Sequence, residues 1–360
     1  MVLQRLKLWS RRQTLQWLIF ASSTVILEAC TPLQQASSGN DLGDAKPSLS
    51  MSLSLGVTTW IGLTPLLIAL KKGFFQELGL RVDLKTFGYN PDYISAFLAG
   101  KLDAIAPVTS EAVLLATKGK DYRIVLVEDN SVGGDGILAR NSISSIKDFK
   151  GKKIAVEKGA VSHFFLLKVL TAVGLSEADV TLVNVDPAGA AAAYQVGNVD
   201  IAVTYAPFLK QANLAQPDGR IIYDSSQIPT AITDVYLFAT EYIEANPEAV
   251  EAFVKGVFKG LGFLNQHPSE GLAIAAKELK IEPDALAADL KGISLPDARA
   301  NLEMLGNKQS DSYLLESLMD VARFLANQGK IDTIPDMEQF LEPKFVKAAL
   351  GRVCKPNNLG

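Results

Sequence analysis

Residues 58–84 read TTWIGLTPLLIALKKGFFQELGLRVDL, and this stretch decides the fold. A strand leads into a loop that carries one large aromatic residue, Trp60. Thr64 then offers its side-chain oxygen as a helix cap, and Pro65 takes the first helical position, where its missing N–H costs nothing. An apolar stripe of helical period follows, and alternation from Arg81 marks a second strand. A helix N-terminus is therefore placed beside an aromatic at the carboxyl end of a strand, which favours a small-ligand site.

The alternation of strand and helix continues along the chain. Apolar runs predict strands at 52–58, 81–86, 102–107, 122–128, 136–140, 153–157, 180–185, 199–205 and 220–224. Amphipathic segments predict helices at 64–78, 91–99, 110–118, 160–173, 187–196 and 207–215. This order is typical of an α/β fold whose parallel sheets are wrapped by helices. Residues 232–350 read as nearly all helical.

The pattern restarts at residues 145–156, SIKDFKGKKIAV, as if a new domain began there. We therefore expect two lobes, each a mainly parallel sheet, with a ligand cleft between them that can close about a hinge. The predicted boundaries are 51–137 plus 239–350 for the first lobe, 142–229 for the second, and 138–141 and 230–238 for the two crossings.

Residues that favour helix caps recur where predicted strands end. Asn90 and Asp186 each precede a proline, as Thr64 does, and either Thr109 or Ser110 is expected to cap the helix that carries Glu111. In open α/β sheets, ligands bind outside the carboxyl ends of the strands, where such helix N-termini point. The joint position of these caps indicates a binding cleft.

The first fifty residues are predicted to serve export and anchoring. A basic start and an apolar run at 15–27, too short to span a bilayer, indicate a signal peptide over residues 1–29. Residues 27–30, LEAC, resemble the lipobox of bacterial lipoproteins, which makes Cys30 the lipidated N-terminus and 30–50 a flexible tether. A buried cysteine after a short core helix is the alternative. The lipid-anchored protein would lie on the periplasmic side of the cytoplasmic membrane; Sec and twin-arginine export both remain open.

Composition narrows the function classes. The chain has 360 residues and a formal net charge of -4, and removal of residues 1–29 leaves -7. No basic tract points to nucleic acid. Cys30 and Cys354 are the only cysteines, so an acylated Cys30 leaves no internal disulfide. With two histidines and no nucleotide-binding or nucleophile motif, the sequence predicts a monomeric protein that is not an enzyme and has no catalytic residue, metal or cofactor.

Several motifs, in this order along the chain, resemble the substrate-binding proteins of nitrate, sulfonate and taurine ABC importers. They are the pattern at Gly73–Leu80, Gly100–Ala104, the 145–153 run, Gly159–His163, Gly197–Ala202 and Asn246–Val250. The resemblance covers nearly the whole chain after the leader. It implies a two-lobed periplasmic-binding-protein fold of type II. It also implies a small-molecule solute that is delivered to a permease and an ATPase on other chains.

The resemblance also implies that Trp60 and residues 161–163 face each other across the cleft. Ser162 either caps the following helix or donates its hydroxyl to a ligand, and the free N–H groups of that turn favour an anion. His163 is a ligand contact or a packed or surface histidine. Tyr205 lines the second lobe's wall or belongs to the core.

An acidic, glycine-rich turn at 128–136, EDNSVGGDG, is a departure from what an oxoanion binder needs. Either it is a solvated loop, or Asp135 enters the cleft and pairs with a cationic or zwitterionic ligand that stacks on Trp60. Asp234 is a weaker candidate of the same kind. The predicted ligand-binding set is Trp60, Thr64, Ser110, Glu111, Asp135, Ser162, His163, Tyr205 and Asp234.

The expected solute is small and contains nitrogen or sulfur, either taurine- or sulfonate-like or a guanidine- or urea-like cation. The alternatives are a nitrate- or bicarbonate-type oxoanion binder, a binder or enzyme of a thiamine pyrimidine precursor, and a lipid-tethered sensor. Thiamine-precursor enzymes that resemble this family rely on histidine and clustered cysteine, and the chain has no such cluster.

Overall fold

A computed structural model of the chain describes residues 51–351. The predicted signal peptide at 1–29, the lipidation site Cys30, the tether at 30–50 and Cys354 lie outside the described residues. Within residues 51–351, no helix combines the length and the apolar character needed to cross a membrane.

All nine predicted strands are present within three residues of their expected ends. The strands are β1 Met51–Thr58, β2 Leu80–Phe87, β3 Ala104–Ile105, β4 Tyr122–Ser131, β5 Asp135–Arg140, β6 Lys153–Val156, β7 Thr181–Asn184, β8 Ile201–Tyr205, β9 Gly219–Asp224, β10 Thr233–Ala239 and β11 Ile293–Ser294. Alternating or continuous apolar runs thus identified the strands up to residue 224.

The six predicted helices also form, and the first is divided in two because Gly73 adopts the left-handed conformation, with φ of 77°. The helices are α1 Thr64–Lys72, α2 Phe74–Glu77, α3 Asn90–Leu98, α4 Thr109–Thr117, α5 Val161–Ala172, α6 Pro187–Gln195, α7 Phe208–Ala215, α8 Thr240–Ala245, α9 Pro247–Gln266, α10 Pro268–Leu279, α11 Pro283–Asp289, α12 Ala298–Gly306, α13 Leu314–Asn327 and α14 Lys344–Gly351.

The strands form two sheets, which define two lobes. The first lobe contains a six-stranded sheet in the order β11-β4-β10-β3-β1-β2, and the second a five-stranded sheet in the order β7-β6-β8-β5-β9. The two-lobed α/β prediction is confirmed, but the expectation of mainly parallel sheets is wrong. β1, β2 and β3 pair in parallel, as do β6, β7 and β8, whereas the strands next to the passages between lobes pair antiparallel.

Strand β10 corrects the expectation that residues 232–350 are nearly all helical and that 230–238 form a crossing. Its sequence, TDVYLFA, lies in the first sheet between β3 and β4, and all seven residues are buried. A strand buried on both faces has a continuous apolar run without alternation, and the neighbouring helical pattern concealed it.

The chain passes between the lobes at two adjacent places. β4 ends at Ser131 and β5 begins at Asp135, so the first passage lies at residues 132–134, and the predicted crossing at 138–141 falls within and just after β5. The second passage lies between β9 and β10 at residues 225–232. The hydroxyl oxygens of Ser131 and Ser225 are 2.7 Å apart, and Ser225 Oγ also accepts a 2.7 Å hydrogen bond from Gly133 N–H. Hydrogen bonds therefore join the two passages to each other.

Close packing of α9 on α1 and α2 supports the loop that carries Trp60. A side chain at Gly260 would place its Cβ 2.0 Å from the Pro65 carbonyl oxygen, and one at Gly256 would lie 2.2 Å from the ring of Phe75. Both glycines face α1 and α2 one helical turn apart. They let the backbones approach, and the start of α1 is fixed against the core.

Candidate functional site

A cavity lies at the junction of the two lobes, where the carboxyl ends of β1 and β8 meet the start of β5. Trp60, Asn90, Tyr93 and Glu111 line it from the first lobe, and Val161 and Tyr205 from the second. Asp135 and Asp234, which adjoin the two passages, complete its polar wall. The space that admits the centres of water-sized molecules is about 20 Å³, so the cavity suits a solute of very few heavy atoms.

The structure brings five of the nine predicted site residues together around this cavity: Trp60, Glu111, Asp135, Tyr205 and Asp234. The other four, Thr64, Ser110, Ser162 and His163, do not line it. Ser110 and His163 instead line a second cavity between α4 and α5. The binding role of all nine residues stays a prediction.

The predicted caps differ from the observed helix starts. Thr64 is the first residue of α1, and its Oγ1 donates a 2.6 Å hydrogen bond to the Ile61 carbonyl instead of accepting one from the helix. Neither Thr109 nor Ser110 caps α4, which follows Val108, and Ser162 does not cap α5. The predicted threonine and serine caps are therefore wrong, because each helix begins at or before the expected cap.

Asp186 and Asn90, the two predicted caps that precede prolines together with Thr64, differ from each other in the structure. Asp186 caps α6 as predicted and accepts a 2.7 Å hydrogen bond from Gly189 N–H. Asn90 is instead the first residue of α3, and its side chain donates to Glu111. His163 Nδ1 accepts a hydrogen bond from Gly159 N–H at 3.2 Å, which gives the largely buried histidine a structural partner.

Trp60 is held in one orientation by polar and aromatic neighbours. Its Nε1–H donates a 2.7 Å hydrogen bond to Asp129 Oδ2, and its ring meets Tyr205 edge to face, with centroids 5.7 Å apart. Gly62 leaves room for this arrangement, because a Cβ there would lie 1.8 Å from Asp129 Oδ2. Gly134 also leaves room for the indole, because a Cβ there would lie 2.7 Å from the ring. The indole is a rigid wall of the cavity.

Asp135 and Asp234 occupy strand positions that turn their carboxylates toward the cavity. Asp135 begins β5 and pairs with Tyr205 of β8, while Asp234 lies in β10 beside an irregularity in the pairing with β4. Such irregularities often re-aim side chains next to binding sites. Asp234 is buried at this position and lines the cavity together with Asp135.

Burial has the largest effect on the pKa values of Asp135 and Asp234. It raises the pKa of Asp135 to about 7, although the Ser131 hydroxyl acts in the opposite direction. Burial also raises the pKa of Asp234 well above its ordinary value, and the nearby carboxylates of Asp129, Glu128 and Asp135 raise it further. A cation in the cavity would relieve this repulsion and favour the charged forms.

Glu111 and Glu157 lie where helices begin. Glu111 Oε1 accepts a 2.9 Å hydrogen bond from Asn90 Nδ2, and its Oε2 accepts one of 2.6 Å from Tyr93; the nearby backbone N–H of Val161 also lowers its pKa. Burial raises the pKa of Glu111, and the hydrogen bonds from Tyr93 and Asn90 lower it. Glu157 Oε1 accepts the Asn90 N–H at 2.7 Å, and burial raises the pKa of Glu157 to about 8.

The buried charge around the cleft has one sign. Six carboxylates are buried there, and no Lys or Arg among residues 51–351 is buried. The buried carboxylates are Glu111, Glu128, Asp129, Asp135, Glu157 and Asp234. No group of three or more His, Cys, Asp or Glu in the described part of the chain is arranged to hold a metal ion. Since uncompensated buried charge is costly, the arrangement is suited to an organic cation.

The predicted ligand-binding set did not include Asn90, Tyr93, Asp129 and Glu157, although Asn90 was expected to cap a helix at the cleft. Asp129 lay within the acidic turn that was singled out, so that signal was present. Glu157 is the last residue of the predicted strand 153–157, at the sheet edge where ligands bind, and this position could have identified it. Tyr93 looked like an ordinary apolar residue of a helix.

Comparisons with known proteins agree with this architecture. The model of the NMT1/THI5 like family matches residues 60–271, which is more than half of the chain. The taurine-binding periplasmic protein of Escherichia coli is 25% identical over 76% of this chain and 86% of its own. A putative aliphatic sulfonates-binding protein of Bacillus subtilis is 28% identical over 80% of this chain and 85% of its own.

Among solved structures, the periplasmic aliphatic sulphonate binding protein of Escherichia coli superimposes with a TM-score of 0.66 at 20% identity. The match covers 82% of this chain and 99% of that chain, so the two proteins share the two-lobed fold. All three relatives are named for binding and not for catalysis. The family match spans both lobes and the loop with Trp60, and this chain belongs to the NMT1/THI5-like family.

Proposed function

We propose that this protein is the solute-binding component of an ABC importer and that it captures a small organic cation of the guanidinium type. The observation that supports the proposal most is the wall of the cavity. Three buried carboxylates, Glu111, Asp135 and Asp234, line it together with Trp60, and no Lys or Arg does. A desolvated cation would pair with these carboxylates and stack on the indole.

Helix N-termini usually attract anions, but here they argue against an oxoanion ligand, because carboxyl groups of the protein already contact them. In this structure the first N–H of α3 is bound by Glu157, and the first N–H of α5 interacts with Glu111. The protein's own carboxylates thus occupy the positions that the sequence analysis assigned to a nitrate- or sulfonate-like group. An oxoanion would have to displace them and would then face Asp135 and Asp234.

The size of the cavity and its flat aromatic wall support guanidinium in particular. Its planar shape matches a stacked position on Trp60, and its N–H groups can each reach a carboxylate oxygen of Asp135 or Asp234. Urea has the same shape without the charge, and comparison of the two separates charge from geometry. A long alkane sulfonate exceeds the space available in the cavity as it stands.

The proposed partners are a permease and an ATPase on other chains, with which the monomeric, lipid-anchored protein would work on the periplasmic side of the cytoplasmic membrane. The named relatives that are periplasmic binding proteins support this placement. Genes for a permease and an ATPase beside this gene would favour transport. A neighbouring histidine kinase gene would favour the alternative of a lipid-tethered sensor.

A ligand panel tests the proposal. The purified protein would be titrated calorimetrically with guanidinium, methylguanidinium, urea, taurine, ethanesulfonate, nitrate, bicarbonate and a thiamine pyrimidine precursor. We expect guanidinium to bind at least tenfold more tightly than urea, and nitrate and ethanesulfonate not to bind. Tight binding of nitrate or ethanesulfonate would contradict a cation site.

Taurine is the second candidate, because a relative of 25% identity is named a taurine-binding protein. Its ammonium group could meet Asp135 and Asp234, but its sulfonate would need a donor that Glu111 and Glu157 do not already occupy. Taurine binding stronger than that of guanidinium would establish this alternative.

A further inference from the structure

Two buried carboxylates each contact the start of a helix that belongs to the opposite lobe. Glu157 follows β6 in the second lobe, and its Oε1 accepts a 2.7 Å hydrogen bond from the N–H of Asn90, which begins α3 in the first lobe. Glu111 on α4 in the first lobe interacts with the N–H of Val161, which begins α5 in the second lobe. The two contacts run in opposite directions across the cleft.

Neither helix has a side-chain cap from its own lobe. The residues that precede them, Tyr89 before α3 and Ala160 before α5, provide no capping hydrogen bond. The first N–H groups of a helix need acceptors, and a carboxylate there also interacts favourably with the helix dipole. By contrast, Asp297 caps α12 from within the same lobe. The starts of α3 and α5 are thus completed when the lobes meet.

Asn90 connects the two carboxylates and the cavity. Its backbone N–H binds Glu157, its side-chain Nδ2 donates to Glu111 Oε1 at 2.9 Å, and the residue lines the cavity wall. Glu157 is fully buried, and its second oxygen, Oε2, has no partner among the described residues. An opened cleft would return this carboxylate and both helix starts to water.

We propose that Glu157, Asn90, Glu111 and Val161 form a reciprocal latch that holds the cleft closed over the solute, with Glu157 as its positioning residue. The identity of the solute in this proposal rests on the proposed function. Closure itself is a property of the two lobes and can be measured without any ligand.

The test uses the full chain with Glu157→Ala. Because the acceptor of the Asn90 N–H is lost, guanidinium affinity is expected to fall roughly tenfold, mainly through faster dissociation. Without ligand, amide hydrogen exchange at Asn90 and Val161 is expected to become faster. Asp297→Ala is the matched control: it removes a carboxylate cap within one lobe and should leave exchange at Asn90 and Val161 unchanged.

Glu157→Gln keeps an acceptor oxygen at the same place and guards against a misfolded alanine variant; its exchange and dissociation rates are expected to lie between those of wild type and Glu157→Ala. Wild-type exchange at Asn90 and Val161 in both variants would overturn the latch. If no cation binds the wild type but exchange at Asn90 still rises in Glu157→Ala, the latch stands and the proposed function fails.

Discussion

We propose that Asp135 selects for the charge of the solute. It begins β5 next to the first passage between the lobes, it is buried, and its carboxylate lines the cavity. Its neighbours in the cavity wall, Glu111 and Asp234, repeat the same charge. A ligand without a positive group would leave this carboxylate buried beside two others, at a cost that favours protonation instead.

Asp135→Asn is expected to weaken guanidinium binding by roughly tenfold or more, since one charge-assisted hydrogen bond becomes a neutral one. Isothermal titration calorimetry measures the change. Asp148→Asn serves as the control, because Asp148 is an exposed carboxylate that only caps its own short helix. Equal affinities of wild type and Asp135→Asn would show that Asp135 does not contact the solute.

Alanine substitutions at Gly62 and Gly88 test whether the position of Trp60 depends on the space that Gly62 leaves. A Cβ at Gly62 would overlap both Asp129 and the indole nitrogen, whereas a Cβ at Gly88 meets nothing within 4 Å. We expect Gly62→Ala to lower the free energy of unfolding by about 1–3 kcal/mol and to weaken solute binding. Gly88→Ala should change neither in chemical denaturation and titration. A Gly62→Ala variant with wild-type stability would show that the indole can adopt another position without a cost in free energy of unfolding.

Among the elements, α9 sets the position of the loop that carries Trp60. The helix packs on α2 at Gly256 and on α1 at Gly260, and Gly260 brings the backbones so close that no side chain fits. This contact fixes the first turn of α1 and therefore the 3-10 turn at Ile61–Leu63 that precedes it. The site depends on a helix that begins almost two hundred residues later in the chain.

Gly260→Ala is expected to destabilise the protein by about 1–3 kcal/mol, because its Cβ would meet the Pro65 carbonyl group. Gly262→Ala lies on the same helix with open space around it and should be neutral or stabilising by up to about 1 kcal/mol, since alanine is the better helix former. Urea unfolding of both variants measures the difference. Similar values for the two would show that α9 can shift away from α1 at little cost.

How far the sequence predicts these elements depends on how local their signals are. Strands and helices up to residue 224 follow from periodicity, and Asp186 was a correct cap because its interaction spans three residues. β10 was missed because burial on both faces removes the alternation. The partners of Asn90 and Glu111 come from distant parts of the chain, so no local pattern could reveal that they join the two lobes.

At the scale of the whole molecule, the six carboxyl groups buried around the cleft make folding sensitive to pH, because no Lys or Arg among residues 51–351 is buried with them. Burial raises the pKa of Asp135 to about 7 and those of Asp129 and Glu157 to about 8. Between the ordinary carboxyl pKa near 4 and these raised values, the folded protein binds more protons than the unfolded chain. Stability is therefore highest in the acidic part of this window and falls as pH rises.

We expect the free energy of unfolding of the empty protein to fall between about pH 5 and pH 8, by about 1.4 kcal/mol per pH unit for each carboxyl group that is protonated only in the folded state. Guanidinium should offset this loss, so its thermal shift should grow with pH and its binding should release protons. Scanning calorimetry at several pH values and titrations in buffers of different ionisation enthalpy measure both. A guanidinium thermal shift that shrinks as pH rises would contradict a cation site formed by these carboxylates.

The fixed position of Trp60 has an optical consequence. The other two tryptophans, Trp9 and Trp17, belong to the predicted signal peptide, so the cleaved protein would carry a single indole, at the wall of its own cleft. Indole emission responds to nearby charge and to water, and here the ring lies between Asp129 and the solute position. The protein would thus report its occupancy as a change in intrinsic fluorescence, with no label attached.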